Sequence, residues 1–274
     1  MELTFWGVRG TCPVYRRGVT RIGGNTPCAS IDAGGGARIV IDAGTGIYEL
    51  GRSLAAAPAK PARFSIFFTH FHLDHVQGLP FFDPLFDPRT EIAFHSAAEP
   101  DELRRTLARL MGKPFFPVEF EATPSRKSFH KIDGRKVRAG GAAVSACPLN
   151  HPQGCVAYKI ESGGSSVVFA TDTEHPAEGV DGWLAEFSRG ADILVYDATY
   201  TPREYAAGKR GWGHSTWQAG ARLAEAAGVR RLVLSHFNGG HGDAKIRDIE
   251  RRTRRAFANA RAARERLTIS LPGA

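Results

Sequence analysis

Short apolar runs, each closed by a polar residue or a glycine, punctuate this chain from its first positions onward. In the first third, Leu3–Gly7, Ala29–Asp32, Arg38–Asp42 and Phe64–Phe68 have the length and the β-branched and aromatic content of strands, and the tight stretches between them read as turns. Gly46–Ala57 reads as a helix. A second strand-rich stretch covers Lys136–Ala139, Ala142–Cys147, Cys155–Ile160 and Ser166–Ala170. Beyond it the pattern alternates: a helix near Val180–Ser188, a strand at Ile193–Tyr196, a helix at Thr216–Ala227, a strand at Leu232–Leu234, a long basic helix and a last strand at Leu267–Ser270. Alternation of this kind in both halves predicts a layered α/β fold with helices outside two sheets. Residues 80–130, carrying Pro84, Pro88, Pro114, Pro117 and Pro124, read as an irregular insertion around a helix at Pro100–Leu110, of the kind that shapes access to a site. No repeat, low-complexity tract or linker divides the pattern, which therefore describes one domain over residues 1–274.

Composition narrows this little. Hydrophobic residues make up 42% and charged residues 23% of the chain, as in ordinary globular proteins. No apolar stretch approaches the roughly 18 residues of a membrane span, and Met1–Trp6 reads as a first strand, not as a signal peptide. Cys12, Cys28, Cys147 and Cys155 form no CxxC pair and no dense framework, so a reduced, cytoplasmic setting is expected. The net charge of +8 points toward anionic partners, but much of the excess lies in Lys245–Arg266. There Ile246, Ile249, Ala256, Phe257 and Ala260 recur at helical spacing, which describes an amphipathic helix with a solvated basic face; nucleic-acid contact is the alternative.

The chemistry is concentrated in His70-Phe71-His72-Leu73-Asp74-His75, directly after the apolar run Phe64–Phe68. Three imidazoles and a carboxylate at the mouth of a buried strand are metal-ligand types, whereas a solvated loop has no use for this density of histidine. Other apolar runs end in the same manner. Ile39-Val40-Ile41 leads to Asp42, Ala143–Pro148 to His151, Val167–Ala170 to Thr171-Asp172, and Leu232–Ser235 to His236. Alone, Asp42 and Asp172 read as turn or cap residues and each histidine as a structural one. Together, strand after strand delivers a His or Asp at its end.

This succession closely resembles the metallo-β-lactamase-fold hydrolases, whose pattern is a strand-end Asp, HxHxDH, a distant His, a distant Asp and a final His. Asp42, His70–His75, His151, Asp172 and His236 follow that order over essentially the whole chain. The resemblance implies an αββα sandwich, two mixed β-sheets flanked by helices, with a dinuclear site between the sheet edges. It implies one divalent ion on His70, His72 and His151, a second on Asp74, His75 and His236, Asp172 bridging both, and Asp42 orienting ligands by hydrogen bonding. Asp74 thereby counts among the catalytic as well as the ligating residues. Zinc is the default metal for such a set, with manganese, iron and cobalt as alternatives. Two ions about 3.5–4 Å apart make hydroxide from a bridging water and offset charge on an attacked phosphoryl or carbonyl group.

A separate clue concerns the bond that is cut. Gly213-His214-Ser215-Thr216, with Asp197 in Tyr196–Tyr200, is similar to an element of the phosphodiesterase branch of the family, which includes tRNA 3′-processing endonucleases and cyclic-nucleotide phosphodiesterases. The resemblance implies that His214, paired with Asp197 where the nucleases carry Glu, protonates the leaving oxygen. The alternative for His214 is a plain helix-start residue, since Ser215 and Thr216 are good caps. The long Gly/Pro-rich arm with which those nucleases grip tRNA is missing between His151 and Asp172, where only Cys155–Ala170 intervenes. The expected substrate is therefore a small anionic phosphodiester such as a cyclic nucleotide. An RNA-processing nuclease, an ester, thioester or lactone hydrolase, and a non-catalytic carrier on the same fold are the alternatives, with a homodimer as an expected assembly. Arg9 in Gly7–Thr11 and the Gly23-Gly24 turn read either as a phosphate cradle or as tight turns. Asn238 and His241 are candidates for the same cleft, and His95, His130 and His175 match no motif position.

Overall fold

Two seven-stranded sheets lie face to face in the computed structural model, which describes residues 1–55 and 62–272. The first sheet takes β1 (Glu2–Gly7), β2 (Cys28–Asp32), β3 (Arg38–Ile41), β4 (Arg63–Phe67), β5 (Glu91–Ser96) and β6 (Arg126–Lys131) in sequence order. The second takes β7 (Val137–Ala139), β8 (Ala142–Leu149), β9 (Cys155–Ser162), β10 (Ser165–Ala170), β11 (Ile193–Asp197), β12 (Leu232–Ser235) and β13 (Ala260–Ala262). The last strand, β14 (Thr268–Ser270), returns to pair with β1. Each sheet is an antiparallel meander on one side and parallel on the other: β3 through β6 in the first, β10 through β13 in the second. Helices α1 (Gly46–Ala55), α2 (Leu73–Val76), α3 (Pro100–Leu110), α4 (Gly182–Phe187), α5 (Pro202–Ala206), α6 (Trp217–Ala226) and α7 (Asp243–Ala256) connect them.

Period-two alternation sorts the side chains into two cores. Ile39, Ile41 and Phe67 face the second sheet and join Val144, Ile160, Val167 and Phe169 in the core between the sheets. Val40, Ile66 and Phe68 turn the other way, onto Ile47 and Leu50 of α1 and Leu103 and Leu107 of α3. The Tyr158 hydroxyl crosses the sandwich to donate to the Phe68 carbonyl at 2.7 Å, one residue beyond β4 and beside the histidine cluster.

Two expectations need correction. Residues 80–130 are not wholly irregular: β5 and β6 extend the parallel side of the first sheet, and the proline-rich stretches are the connections around them. The basic helix stops at Ala256 and does not reach Arg266. Ile246, Ile249 and Thr253 bury one face of α7, but Phe257 is already extended, and Ala260–Ala262 pairs with β12 as an edge strand. The small, helix-favouring alanines there obey sheet pairing, a case of tertiary contacts overriding propensity. Helix α1 begins at Gly46 as expected; positions 56 and 57 of the expected helix lie outside the described residues. The four cysteines are free, and among the described residues no helix is long and apolar enough to cross a membrane.

Candidate active site

All the strands that carry candidate ligands deliver their last residues to one end of the sandwich, where parallel α/β sheets gather their functional groups. At three of these ends the chain turns through the left-handed region. Asp42 follows β3 with φ 60°, Asp172 lies just beyond β10 with φ 60°, and His236 follows β12 with φ 58°. Such backbone costs of order 1–3 kcal/mol in a residue other than glycine and collects at functional sites. Neighbouring groups hold it: the Phe67 carbonyl accepts from the Asp42 amide at 2.9 Å and the Asp197 carboxylate from the Asp172 amide at 3.1 Å.

Six imidazoles meet here, and each has one nitrogen tied down by a neighbour. His75 Nδ1 donates to Asp42 Oδ2 at 2.8 Å, His151 Nδ1 to the Gly213 carbonyl at 2.8 Å, and His214 Nδ1 to Asp197 Oδ2 at 2.9 Å. His236 Nδ1 lies 3.0 Å from Thr199 Oγ1, His70 Nδ1 3.1 Å from Thr69 Oγ1, and His72 Nε2 3.1 Å from Gln153 Oε1. Tying one nitrogen fixes the tautomer and leaves the other as a lone-pair donor. In five of the six rings the free nitrogens converge. His75 Nε2 stands 3.3 Å from His236 Nε2, and His151 Nε2 stands 3.2 Å from His72 Nδ1. Asp172 lies among them, with Oδ2 3.2 Å from His75 Nε2 and Oδ1 3.2 Å from His236 Nε2 and 3.9 Å from His70 Nε2. Asp74 Oδ2 is 3.3 Å from His236 Nε2 and accepts the Thr11 amide at 2.7 Å.

The electrostatics are those of a site built around positive charge. Burial opposes charge on His75, yet Asp172, Asp42 and Asp74 push its pKa well above the ordinary histidine range. Burial likewise opposes charge on Asp172, and His236 and His75 nonetheless hold its carboxyl well below the usual range. His70 is pulled down to about 2 by burial and by the positive field of His75, which outweigh the opposing pull of Asp172. His70 Nε2 and Asp172 Oδ2 are buried without a hydrogen-bond partner, which is costly unless something else is bound there. The donor atoms of His70, His72 and His151, and those of Asp74, His75 and His236, form clusters within 4.8 Å. Imidazole and carboxylate donors around two orphaned atoms fit divalent transition-metal ions.

His214 sits against this cluster, its ring 5.1 Å from that of His236 by centroid and its Nδ1 3.8 Å from Asp172 Oδ1. Burial lowers its pKa, but Asp197 more than reverses this and the imidazole is pushed up to about 9. Asp197 also accepts the amides of Thr199 and Ser215, so its carboxylate is a hub for the loop ends as well as for His214.

Comparison with known proteins fits this arrangement. The model of the beta-lactamase superfamily domain matches residues 37–237. The chain belongs to the beta-lactamase superfamily. The family, the sandwich fold and the class of metal-dependent hydrolase read from the sequence all stand. Over 300 aligned positions the chain is 28% identical to ribonuclease Z of Bradyrhizobium sp. (strain ORS 278), covering 89% of this chain and 92% of that one. Its fold is that of the metallo-beta-lactamase fold protein YhfI from Bacillus subtilis (TM-score 0.73, 18% identity, 98% of both chains). It is also that of a diphosphatase of the PhnP family (TM-score 0.71, 18% identity, 99% and 98%).

Other candidates separate from the cluster. Arg9 is fully buried and donates to the carbonyls of Gly23, Asn238 and His241, so it clamps two loops away from solvent. The Gly-rich turns are places of close approach: a Cβ on Gly10 would stand 2.3 Å from His236 Cε1. Asn238 and His241 do not enter the cluster; the side-chain oxygen of Asn238 accepts the Gly240 amide, and His241 Nε2 bonds Glu204. His95 stacks between Phe67 and His130, and His175 bonds Ser215. Sequence reading missed Thr69, Thr199, Gln153 and the Gly213 carbonyl. Thr69 immediately precedes the histidine motif and Thr199 follows Asp197 by two residues, so adjacency was the available signal; nothing local pointed to Gln153 or Gly213.

Proposed function

We propose that this hydrolase is a phosphodiesterase acting on a small anionic phosphodiester, with a cyclic nucleotide as the leading substrate. The observation that carries the reading is the His214–Asp197 pair at 2.9 Å, set against the ligand cluster. A thiolate leaves a thioester with little proton donation, whereas an alkoxide leaving from phosphorus needs a proton, so the pair speaks against a thioester substrate. His214, with Nδ1 held by Asp197, presents Nε2 as the donor of that proton, and its raised pKa keeps the proton in place at neutral pH.

His70, His72 and His151 would hold one divalent ion and Asp74, His75 and His236 the other, with Asp172 between them; zinc is the expected metal. Bound there, the ions supply a nucleophile from water at neutral pH and offset charge on the phosphoryl oxygens. The chain's own work is positional. Asp42, Thr69 and Thr199 hold His75, His70 and His236 in the ligating tautomer. Asp197 aims His214, and the absence of a side chain at Gly10 leaves the space that the His236 ring occupies.

Ribonuclease activity is the second reading, favoured by the ribonuclease Z relative. Metal analysis of the purified protein, followed by hydrolysis of bis-p-nitrophenyl phosphate, cyclic nucleotides, RNA and thioesters, separates the readings. Cyclic-nucleotide turnover well above the others is expected. Preferred RNA cleavage would move the assignment to a nuclease, and thioester turnover alone would sink the phosphodiesterase reading.

A further inference from the structure

The stretch Gly208-Lys209-Arg210-Gly211-Trp212-Gly213 ends at His214, and the roles described so far use only its Gly213 carbonyl. Trp212 is 56% exposed, an unusual position for the largest apolar side chain. It is also rigidly mounted. The buried Glu174 carboxylate accepts the amides of Gly211 at 2.7 Å and Gly213 at 2.8 Å, one on each side of Trp212, and the Tyr205 hydroxyl at 2.7 Å. Gly211 and Gly213 have φ of 82° and 77°, so the backbone that presents the indole is one only glycine takes without strain. From the other side, His151 Nδ1 fastens the Gly213 carbonyl. Holding an exposed indole this firmly contributes nothing to a core.

What the indole faces follows from its neighbours. Lys209 Nζ lies 3.6 Å from the Trp212 ring centroid and 5.9 Å from that of Tyr200. The Tyr200 ring in turn stands 6.0 Å from that of His214. A continuous row, His214–Tyr200–Lys209–Trp212, thus runs from the proton donor out to the surface, with the exposed Arg210 beside it. Lys209 covers part of the indole and the rest is exposed, linked to His214 through the buried Tyr200; an exposed aromatic surface accompanied by cations is the combination that binds a base and its phosphate.

We propose that Trp212 is a base-stacking platform that selects phosphodiesters carrying a nucleoside on the leaving oxygen, with Lys209 and Arg210 supplying positive charge beside it. This rests on the phosphodiesterase reading and narrows its substrate class. It fits a cyclic nucleotide and the end of a longer strand equally, since both place a base next to the leaving oxygen.

The test compares a dinucleoside monophosphate with the same phosphodiester bearing an abasic sugar on the leaving side. Stacking on one aromatic ring contributes about 5- to 150-fold in binding. The unmodified enzyme is expected to lose a factor in that range in kcat/KM when the base is removed, and Trp212→Ala to treat the two substrates alike. Trp212→Phe should recover part of the discrimination. Adenosine monophosphate should quench tryptophan fluorescence in the unmodified protein, with that quenching lost in Trp212→Ala. A Trp212→Ala variant that loses the same factor on both substrates, or on neither, overturns the proposal, as does persistence of the quenching. If no form of the enzyme hydrolyses either substrate or bis-p-nitrophenyl phosphate, the phosphodiesterase reading falls instead.

Discussion

The carboxylate of Asp197 accepts the backbone amide of Asp172 at 3.1 Å while the same oxygen accepts from His214 Nδ1 at 2.9 Å. One side chain therefore sets the direction of the His214 ring and the position of the carboxylate at the centre of the candidate ligand cluster. Its burial, with no exposed surface, leaves it no room to contact substrate, so it acts through these two partners.

Replacing His214 with Ala should lower turnover by about 10²- to 10⁴-fold on phosphodiesters with alkyl leaving groups, the usual contribution of a general acid. With p-nitrophenolate as leaving group, which departs without a proton, the loss should be slight. Metal content, read by elemental analysis, should not change. An equal loss on both classes of substrate would rule out the acid role.

Asp197→Asn should reproduce the leaving-group pattern of His214→Ala and also lower metal content, because one oxygen serves the Asp172 amide and His214 and the other the Thr199 and Ser215 amides, and only one pair keeps its acceptor. Retained metal with lost selectivity would confine Asp197 to His214 alone.

Asp42→Asn should weaken metal binding by about 10- to 100-fold, the usual effect of disabling a partner that orients a ligating histidine. The loss should appear in competition with a chelator as release of metal at lower chelator concentration. Unaltered release would mean that Thr69, which stands 3.4 Å from His75 Nδ1, suffices to hold that ring.

Gly10→Ala should displace the His236 ring, since the new Cβ would stand 2.3 Å from Cε1 and 2.4 Å from Nδ1. The expected outcome is a folded protein with reduced metal stoichiometry and turnover, measured by circular dichroism, elemental analysis and hydrolysis side by side. Full stoichiometry would show that the loop around Thr11 yields instead.

Stripping the metal should lower the melting temperature. A ligand present at about 100 times its dissociation constant stabilises by about 2.7 kcal/mol, or about 5–10 °C for a chain of this size. Re-addition of zinc should restore it, and a melting curve indifferent to chelator would count against a bound ion.

Much of this was legible because strands in such a fold are short apolar runs and the functional residues stand at their ends. Asp42, His151, Asp172 and His236 could be read that way although up to 194 residues separate them, because each strand end marks itself locally. The groups that hold the histidines were harder to read. The Gly213 carbonyl and Gln153 act through pairings that only the tertiary fold creates, and a backbone carbonyl leaves no mark in residue identity. Arg9 stayed undecided in the sequence because a cation among glycines suits an anion as well as it suits carbonyl groups, and its burial favours the second. The edge strand Ala260–Ala262 escaped because three small residues inside an arginine-rich run carry a helix's periodicity until a neighbouring strand pairs with them.

The left-handed turns at Asp42, Asp172 and His236 also govern how this enzyme can be silenced without being unfolded. Asp and Asn tolerate that conformation better than other residues with a Cβ, because their short polar side chains bond locally. Asparagine is therefore the substitution of choice at 42 and 172: it withdraws the charge and leaves the path of the chain alone. Alanine or valine at the same positions would confound lost chemistry with a distorted turn. A catalytically dead form suited to trapping a bound substrate is thus best sought in Asp172→Asn, where the backbone demand and the chemical demand fall on one residue and can be separated by a single atom.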